Sequence, residues 1–126
     1  MNPEAKLVLI ADDDPDIQAL VAFRLERAGL RTVRAADGQA ALELALADPP
    51  ALAVVDWSMP KLDGIELTRA LRANAATAEL PVLLLTARAQ EQDVATGLAA
   101  GATAYIRKPF NGQELSERVQ ELLASE

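Results

Sequence analysis

The 126-residue chain contains neither cysteine nor histidine. Without cysteine there can be no disulfide and no thiolate metal site. Without histidine there is no imidazole base, no histidine metal ligand and no phosphohistidine formed on this chain. Long hydrophobic runs are also missing: none approaches the roughly 18–20 residues needed to cross a bilayer as a helix. The start, Met1-Asn2-Pro3-Glu4-Ala5-Lys6, lacks the basic-then-apolar layout of a signal peptide. Together these absences lead us to expect a cytoplasmic protein. Positive charge is in short supply: 12 Lys and Arg against 19 Asp and Glu give a net charge of −7. Such a domain repels nucleic acid and anionic membranes. There is no internal repeat, low-complexity segment or linker. What remains is 51% hydrophobic and 25% charged, an ordinary balance for a globular chain, and the length suits one domain spanning residues 1–126.

What is present is a set of short apolar runs that end on polar groups. Ala51-Leu52-Ala53-Val54-Val55-Asp56 reads as a buried strand closed by one carboxylate. A charge can close such a run only at the open end of a sheet, where water or a ligand solvates it. In parallel α/β sheets that edge is where ligands bind. Lys6 to Ala11 is a second such strand, followed by Asp12-Asp13-Asp14-Pro15. Asp14 reads as the cap of a helix with proline at its first position. That helix carries Ile17, Leu20, Val21, Leu25 and Ala28 at helical spacing and stops at Gly29.

The half-polar strand Arg31 to Ala35 suits a sheet edge. Asp37-Gly38-Gln39 opens a second helix with Ala40, Ala41, Leu44 and Ala47 available for packing, and Asp48-Pro49-Pro50 ends it. After the strand that ends at Asp56, Trp57 to Gly64 is a Pro- and Gly-punctuated loop, and Gly64 to Ala73 reads as a third helix. Asn74 to Glu79 reads as a weakly structured connector. Val82 to Leu85 is a strand ending at Thr86. A fourth helix runs from about Glu91 to Ala100, weakened inside by Gly97 and stopped by Gly101. Thr103 to Ile106 is a fifth strand, followed by Arg107-Lys108-Pro109-Phe110. Asn111-Gly112-Gln113-Glu114 resembles a capping box for a last helix with Leu115, Val119, Leu122 and Leu123 on one face. Five β–α units without a hairpin predict a doubly wound parallel sheet with helices on both faces.

In such a sheet Asp12, Asp13, Asp56, Thr86 and Lys108 can converge at one edge. Carboxylates crowded within about 4–6 Å invite a divalent cation. Oxygen-only ligation suits Mg²⁺, and the lack of His and Cys excludes a soft-metal site. Metal, lysine and hydroxyl around one carboxylate make a phosphoryl-transfer site with the carboxylate as nucleophile.

These motifs, Asp12-Asp13-Asp14-Pro15, Asp56 with Met59-Pro60 and Asp63-Gly64, Thr86-Ala87, and Lys108-Pro109-Phe110, resemble the receiver domain of two-component response regulators. The resemblance covers about Lys6 to Leu123. It implies a flavodoxin-like strand order, 2-1-3-4-5. It implies that Asp56 accepts a phosphoryl group from a sensor histidine kinase or a histidine phosphotransfer protein, in a Mg²⁺-dependent reaction. Asp13, Asp56 and the backbone carbonyl of Ser58 would ligate the metal, with Asp12 acting largely through water. Lys108 would contact a phosphoryl oxygen, and its bond to Pro109 would be cis. Thr86 would swing onto the phosphate and Tyr105 would turn inward, switching the surface of the fourth helix, fifth strand and fifth helix toward a downstream protein or an output domain. On this reading the chain catalyses its own phosphorylation and dephosphorylation but is first a signalling switch.

Departures from the family pattern stand beside it. Thr103-Ala104 follows Gly101-Ala102 where the winged-helix DNA-binding subfamily carries paired acids, although Arg118 is in place. Val94-Ala95-Thr96 replaces the expected basic residue, so the usual charge-laced dimer is not expected. Trp57 is a bulky neighbour for the acceptor, Ala87 is a small one for Thr86, and Arg88 reads equally well as a site-mouth residue or a solvated one. Tyr105 on its own is more often a packing residue. Rival functions are less well served. An aspartate-nucleophile phosphatase would place a second Asp at position 58, which is serine. A flavin module would not put three acids after the first strand. A degenerate receiver that binds partners without phosphorylation would not keep the full acid, threonine and lysine set.

Overall fold

The structure, a computed structural model, describes residues 5–87 and 91–124. Five strands, β1 (Leu7–Ala11), β2 (Arg31–Ala35), β3 (Leu52–Asp56), β4 (Val82–Thr86) and β5 (Ala104–Arg107), alternate with five helices. These are α1 (Pro15–Arg27), α2 (Gly38–Ala47), α3 (Gly64–Arg72), α4 (Glu91–Ala99) and α5 (Gly112–Ala124). Every strand pair is parallel and the order is β2-β1-β3-β4-β5. The half-polar β2 is an edge strand.

Alternation along each strand sorts the core into two layers. Leu9, Ala11, Ala53, Val55, Val82 and Leu84 pack with α2, α3 and the end of α4. Val8, Ile10, Leu52, Val54, Leu83 and Leu85 pack with α1 and α5. Burial on both faces is why β3 and β4, buried at every residue, read as unbroken apolar runs.

The helix ends carry their own chemistry. Asp14 caps α1 by accepting from the Asp16 amide at 2.9 Å, and Asp37 caps α2 through Ala40 N at 2.7 Å. Asn111 accepts from Glu114 N at 2.7 Å, one half of the box expected there. The complete reciprocal box forms at α3, where Asp63 accepts from Glu66 N at 2.8 Å and Glu66 accepts from Asp63 N at 2.9 Å. Gly29 and Gly101 take φ of 91° and 112°. Each ends its helix with paired 6→1 and 5→2 bonds: Leu30 N to Leu25 O with Gly29 N to Glu26 O, and Ala102 N to Gly97 O with Gly101 N to Leu98 O.

Three expectations are corrected. On α1 Val21, Ala22 and Leu25 are buried and Ile17 packs against the same layer, while Leu20 is 42% exposed and Ala28 is exposed. On α2, Ala41 and Ala45 are buried and Ala47 is exposed. Spacing marks a broad apolar sector, but the neighbours decide which part of it touches the sheet. The connector between α3 and β4 is not loose. Thr77 is 1% exposed, its hydroxyl donates to Leu71 O at 2.6 Å, and Leu80 is buried. Arg72 donates to the carbonyls of Thr77 and Ala78, both at 3.3 Å.

Candidate functional site

Strand register brings the candidate residues to one edge. Ala11 pairs with Val55, so Asp12 emerges beside Asp56. Asp12 and Asp56 continue the rows Val8-Ile10 and Leu52-Val54, on the face covered by α1 and α5. Lys108, one residue beyond β5, reaches across to both. Its Nζ lies 2.8 Å from Asp56 Oδ1 and 3.6 Å from Asp12 Oδ2. The carboxylates of Asp12, Asp13 and Asp56 each offer an oxygen within 4.8 Å of the others. Asp12 and Asp56 are buried, at 1% and 6% exposure, and Asp13 is exposed. The Lys108–Pro109 peptide bond is cis.

The electrostatics of the cluster follow from burial. Removal from water pushes the Asp12 and Asp56 carboxyls above the ordinary 3.8. For Asp12, the Asp14 amide at 2.9 Å opposes this shift, and the negative charges of Asp56 and Asp13 add to it. For Asp56, Lys108 opposes it by hydrogen bond and charge without overcoming it. Burial alone would lower the Lys108 ammonium. The hydrogen bond to Asp56 and the charges of Asp56 and Asp12 outweigh it and hold the pKa above 10.5. Among the described residues the rim therefore holds three acids against one lysine.

The donor set suits a hard cation. It is all oxygen, and Asp12 Oδ2 is buried with no hydrogen-bond donor. Such an atom can be satisfied by a metal or by a metal-bound water, and Mg²⁺, which keeps several waters and takes a few carboxylates, fits that demand.

The backbone around the acceptor is tightly held. Trp57 N donates to Leu85 O at 2.9 Å and Gly64 N donates to Trp57 O at 2.7 Å. A Cβ on Gly64 would lie 2.7 Å from Asp56 O and 2.8 Å from Trp57 Cα, so only glycine lets α3 start this close to the acceptor. Gln18 donates from Nε2 to Asp12 O at 2.6 Å and to Ala35 O at 3.2 Å, pinning the end of β1.

Comparison with known proteins decides the family. A family model for the response regulator receiver domain matches residues 8–120. The chain belongs to the response regulator receiver domain family. The receiver is 41% identical to the alkaline phosphatase synthesis transcriptional regulatory protein PhoP of Bacillus subtilis, over 94% of this chain and 48% of that protein. It is 43% identical to the DNA-binding dual master transcriptional regulator RpaA of Synechocystis, over 92% of this chain and 48% of the relative. The chain thus spans about half the length of the curated relatives it matches. Among solved structures, the receiver domain of sensor histidine kinase PA1611 from Pseudomonas aeruginosa superposes with a TM-score of 0.88 at 31% identity, covering 95% of this chain and 98% of that one. That structure has a magnesium ion coordinated in its active-site cleft. Accepting phosphoryl groups from histidine kinases is the general role of receivers of this family.

Thr86 and Tyr105 lie on the other face of the sheet. Thr86 is 3% exposed at the end of β4, and its carbonyl accepts from Lys108 N at 2.7 Å. Tyr105 is 38% exposed. Thr86 and Tyr105 line one small cavity with Trp57, Leu84, Gly97 and Leu98. Ser58 is exposed on the loop leaving Asp56. Arg88 lies outside the described residues. Sequence reasoning missed Gln18 and Arg72, whose contacts to Ala35 O and Gly101 O join elements distant in the chain and are not marked in their local sequence. It named Asp63-Gly64 as a motif without showing the contact Gly64 makes with the backbone of Asp56 and Trp57.

Proposed function

We propose that Asp56 accepts a phosphoryl group from a phosphohistidine on a sensor histidine kinase or a histidine phosphotransfer protein, and that the domain, residues 1–126, passes the event to a downstream protein or an output domain. The single observation that carries this is Lys108 Nζ at 2.8 Å from the buried Asp56 carboxylate, beside two further carboxylates. In the step, an Asp56 oxygen attacks phosphorus in line. An O–P bond forms as the P–N bond to the donor imidazole breaks, and the imidazole keeps the electron pair and takes up a proton.

Asp13, Asp56 and the Ser58 carbonyl would hold Mg²⁺ directly, and Asp12 through water. When bound, the metal supplies the positive charge that lets phosphoryl oxygens approach a rim of carboxylates. Lys108 orients Asp56 before transfer and pairs with a phosphoryl oxygen after it. Thr86 then donates its hydroxyl to another. Tyr105, which lines the same small cavity as Thr86, would then turn inward. Switching the α4–β5–α5 surface from mostly off to mostly on requires a differential of about 5.5 kcal/mol. The absence of any described helix long and apolar enough to cross a membrane is compatible with action in the cytoplasm.

The test is incubation with a small phosphodonor and Mg²⁺, read by intact mass. One alkali-labile phosphate is expected, absent from Asp56→Ala and absent without Mg²⁺. No uptake by the native chain would replace this reading with a phosphorylation-independent protein-binding module. Lys108→Ala is expected to fold and to lose the relay, read as partner engagement with and without phosphodonor. A variant that relays normally would remove lysine from the mechanism.

A further inference from the structure

The sheet has two unlike ends. The carboxyl edge carries Asp12, Asp56 and Lys108. At the amino edge, opposite, one side chain ties three segments together. Arg72, in the last turn of α3, donates to Gly101 O from Nε at 3.0 Å and from Nη2 at 2.8 Å. Its Nη1 reaches Thr77 O and Ala78 O, both at 3.3 Å, and its Nη2 also approaches Thr103 Oγ1 at 3.5 Å. The guanidinium thus spans the turn before β4 and the turn between α4 and β5. It sits at the C-terminal ends of both α3 and α4, where helix dipoles favour a cation. The contact is close: a Cβ on Gly101 would lie 2.8 Å from Arg72 Cγ.

Helix α4 is held unevenly. Among the described side chains, its buried positions, Gly97 and the capping Ala100, lie in the C-terminal half beside the exposed Leu98 and Ala99, while in the N-terminal half Gln92, Ala95 and Thr96 are exposed and Asp93 and Val94 half-buried. The cavity beneath it is lined by Asp93, Val94, Gly97 and Leu98. Gly97, interior to the helix, weakens it there. The C-terminal end is locked twice, by the 6→1 and 5→2 bonds around Gly101 and by Arg72.

We propose that Arg72 is a positioning residue that staples the C-terminal end of α4 to the amino edge of the sheet, so that α4 responds to phosphorylation by tilting about Gly101 rather than by sliding as a whole. The staple stands on geometry alone. The tilt deepens the reading of Asp56 as phosphoacceptor and rests on it.

Hydrogen–deuterium exchange on the full chain, with and without a small acyl phosphate and Mg²⁺, tests both halves, with phosphate uptake followed separately by intact mass. In the native protein, phosphorylation is expected to speed exchange of the amides of residues 92–97 and to leave Ala100 to Thr103 protected. In Arg72→Met, the amides of Ala100, Gly101, Ala102 and Thr103 are expected to exchange about tenfold faster or more before any phosphate is added, with uptake by mass unchanged. Arg72→Lys keeps the charge and one donor for Gly101 O. It should restore part of that protection, which a role in bulk packing alone would not produce, and it serves if the Met variant does not fold. Unchanged exchange at Ala100 to Thr103 in both variants overturns the staple. Equal loosening of both ends of α4 on phosphorylation of the native chain overturns the tilt. Absence of phosphate uptake sinks the Asp56 reading and the tilt with it, and the staple is still decided by the unphosphorylated variants.

Discussion

At the scale of single residues, the site is a balance between burial and charge. Asp12 presents one oxygen to the Asp14 amide and keeps Oδ2 buried without a donor, close to two other carboxylates. Its carboxyl pKa is raised by burial above the 3.8 it has in the unfolded chain. The folded state therefore holds this proton more tightly than the unfolded state does. Stability from this group is greatest below about pH 3.8 and is lost as pH rises through the higher folded-state pKa. At neutral pH the ionised group is a net cost. Asp12→Asn keeps the Oδ1 acceptor and removes a buried charge that lies near two other carboxylates, at the loss of the 3.6 Å ion pair of Oδ2 with Lys108. It is expected to raise the unfolding free energy by about 1 kcal/mol in EDTA at pH 7. Urea denaturation measures it, and a destabilised variant would mean that burial of Asp12 is better compensated than the geometry indicates. Which residues were candidates was legible in the chain, because each of Asp12, Asp56, Thr86 and Lys108 closes an apolar run or follows one closely. The unequal burial of Asp12 and Asp13 was not, since neighbours in sequence part company only when Asp12 turns under Lys108 and Asp13 faces water.

At the scale of elements, the helix starts aim the loops that carry the site. The Asp63–Glu66 box fixes where α3 begins, and Gly64 then sits on the backbone of Asp56 and Trp57. Asp63→Ala removes the side-chain acceptor for Glu66 N and is expected to cost about 1 kcal/mol, within the usual 0.5–2 for an N-cap. A shift of the urea midpoint at constant slope would record it, and no shift would mean that the tertiary contact of Gly64 alone holds the helix start. Trp57 follows Asp56 immediately yet faces the opposite side of the sheet, toward α4, because side chains alternate along a strand. One peptide unit thus links the acceptor to the helix on the far face. The existence and order of the elements could be read from runs and punctuation. The ordered α3–β4 connector could not, because its stability comes from Arg72 and the buried Thr77, and its small polar composition suggests a loop.

At the scale of the whole molecule, all the acids of the site meet only in the folded state, so a ligand for them stabilises that state by mass action. Magnesium ion at about 100 times its dissociation constant is expected to add about 2.7 kcal/mol to the unfolding free energy, and chelation to remove it. The rise in melting temperature should be largely lost in Asp13→Asn and persist in Asp63→Ala. A rise that survives Asp13→Asn would place the cation elsewhere on a surface of net charge −7. The same global view separates a chemical edge, rich in charge, from an amino edge closed by Arg72.

The chain by itself determined the class of fold, the alternation of strands and helices and the polar residue at the end of most strands, because these depend on hydrophobic period and on local turn chemistry. It also bounded the chemistry, since a chain without His or Cys can offer a metal only oxygen. Only the tertiary structure decided that Lys108 reaches Asp56 at 2.8 Å, that Asp12 is buried while Asp13 is not, and that Arg72 closes the opposite edge. Those facts come from strand register and interhelical packing, which join residues tens of positions apart and leave no trace in the sequence around any one of them.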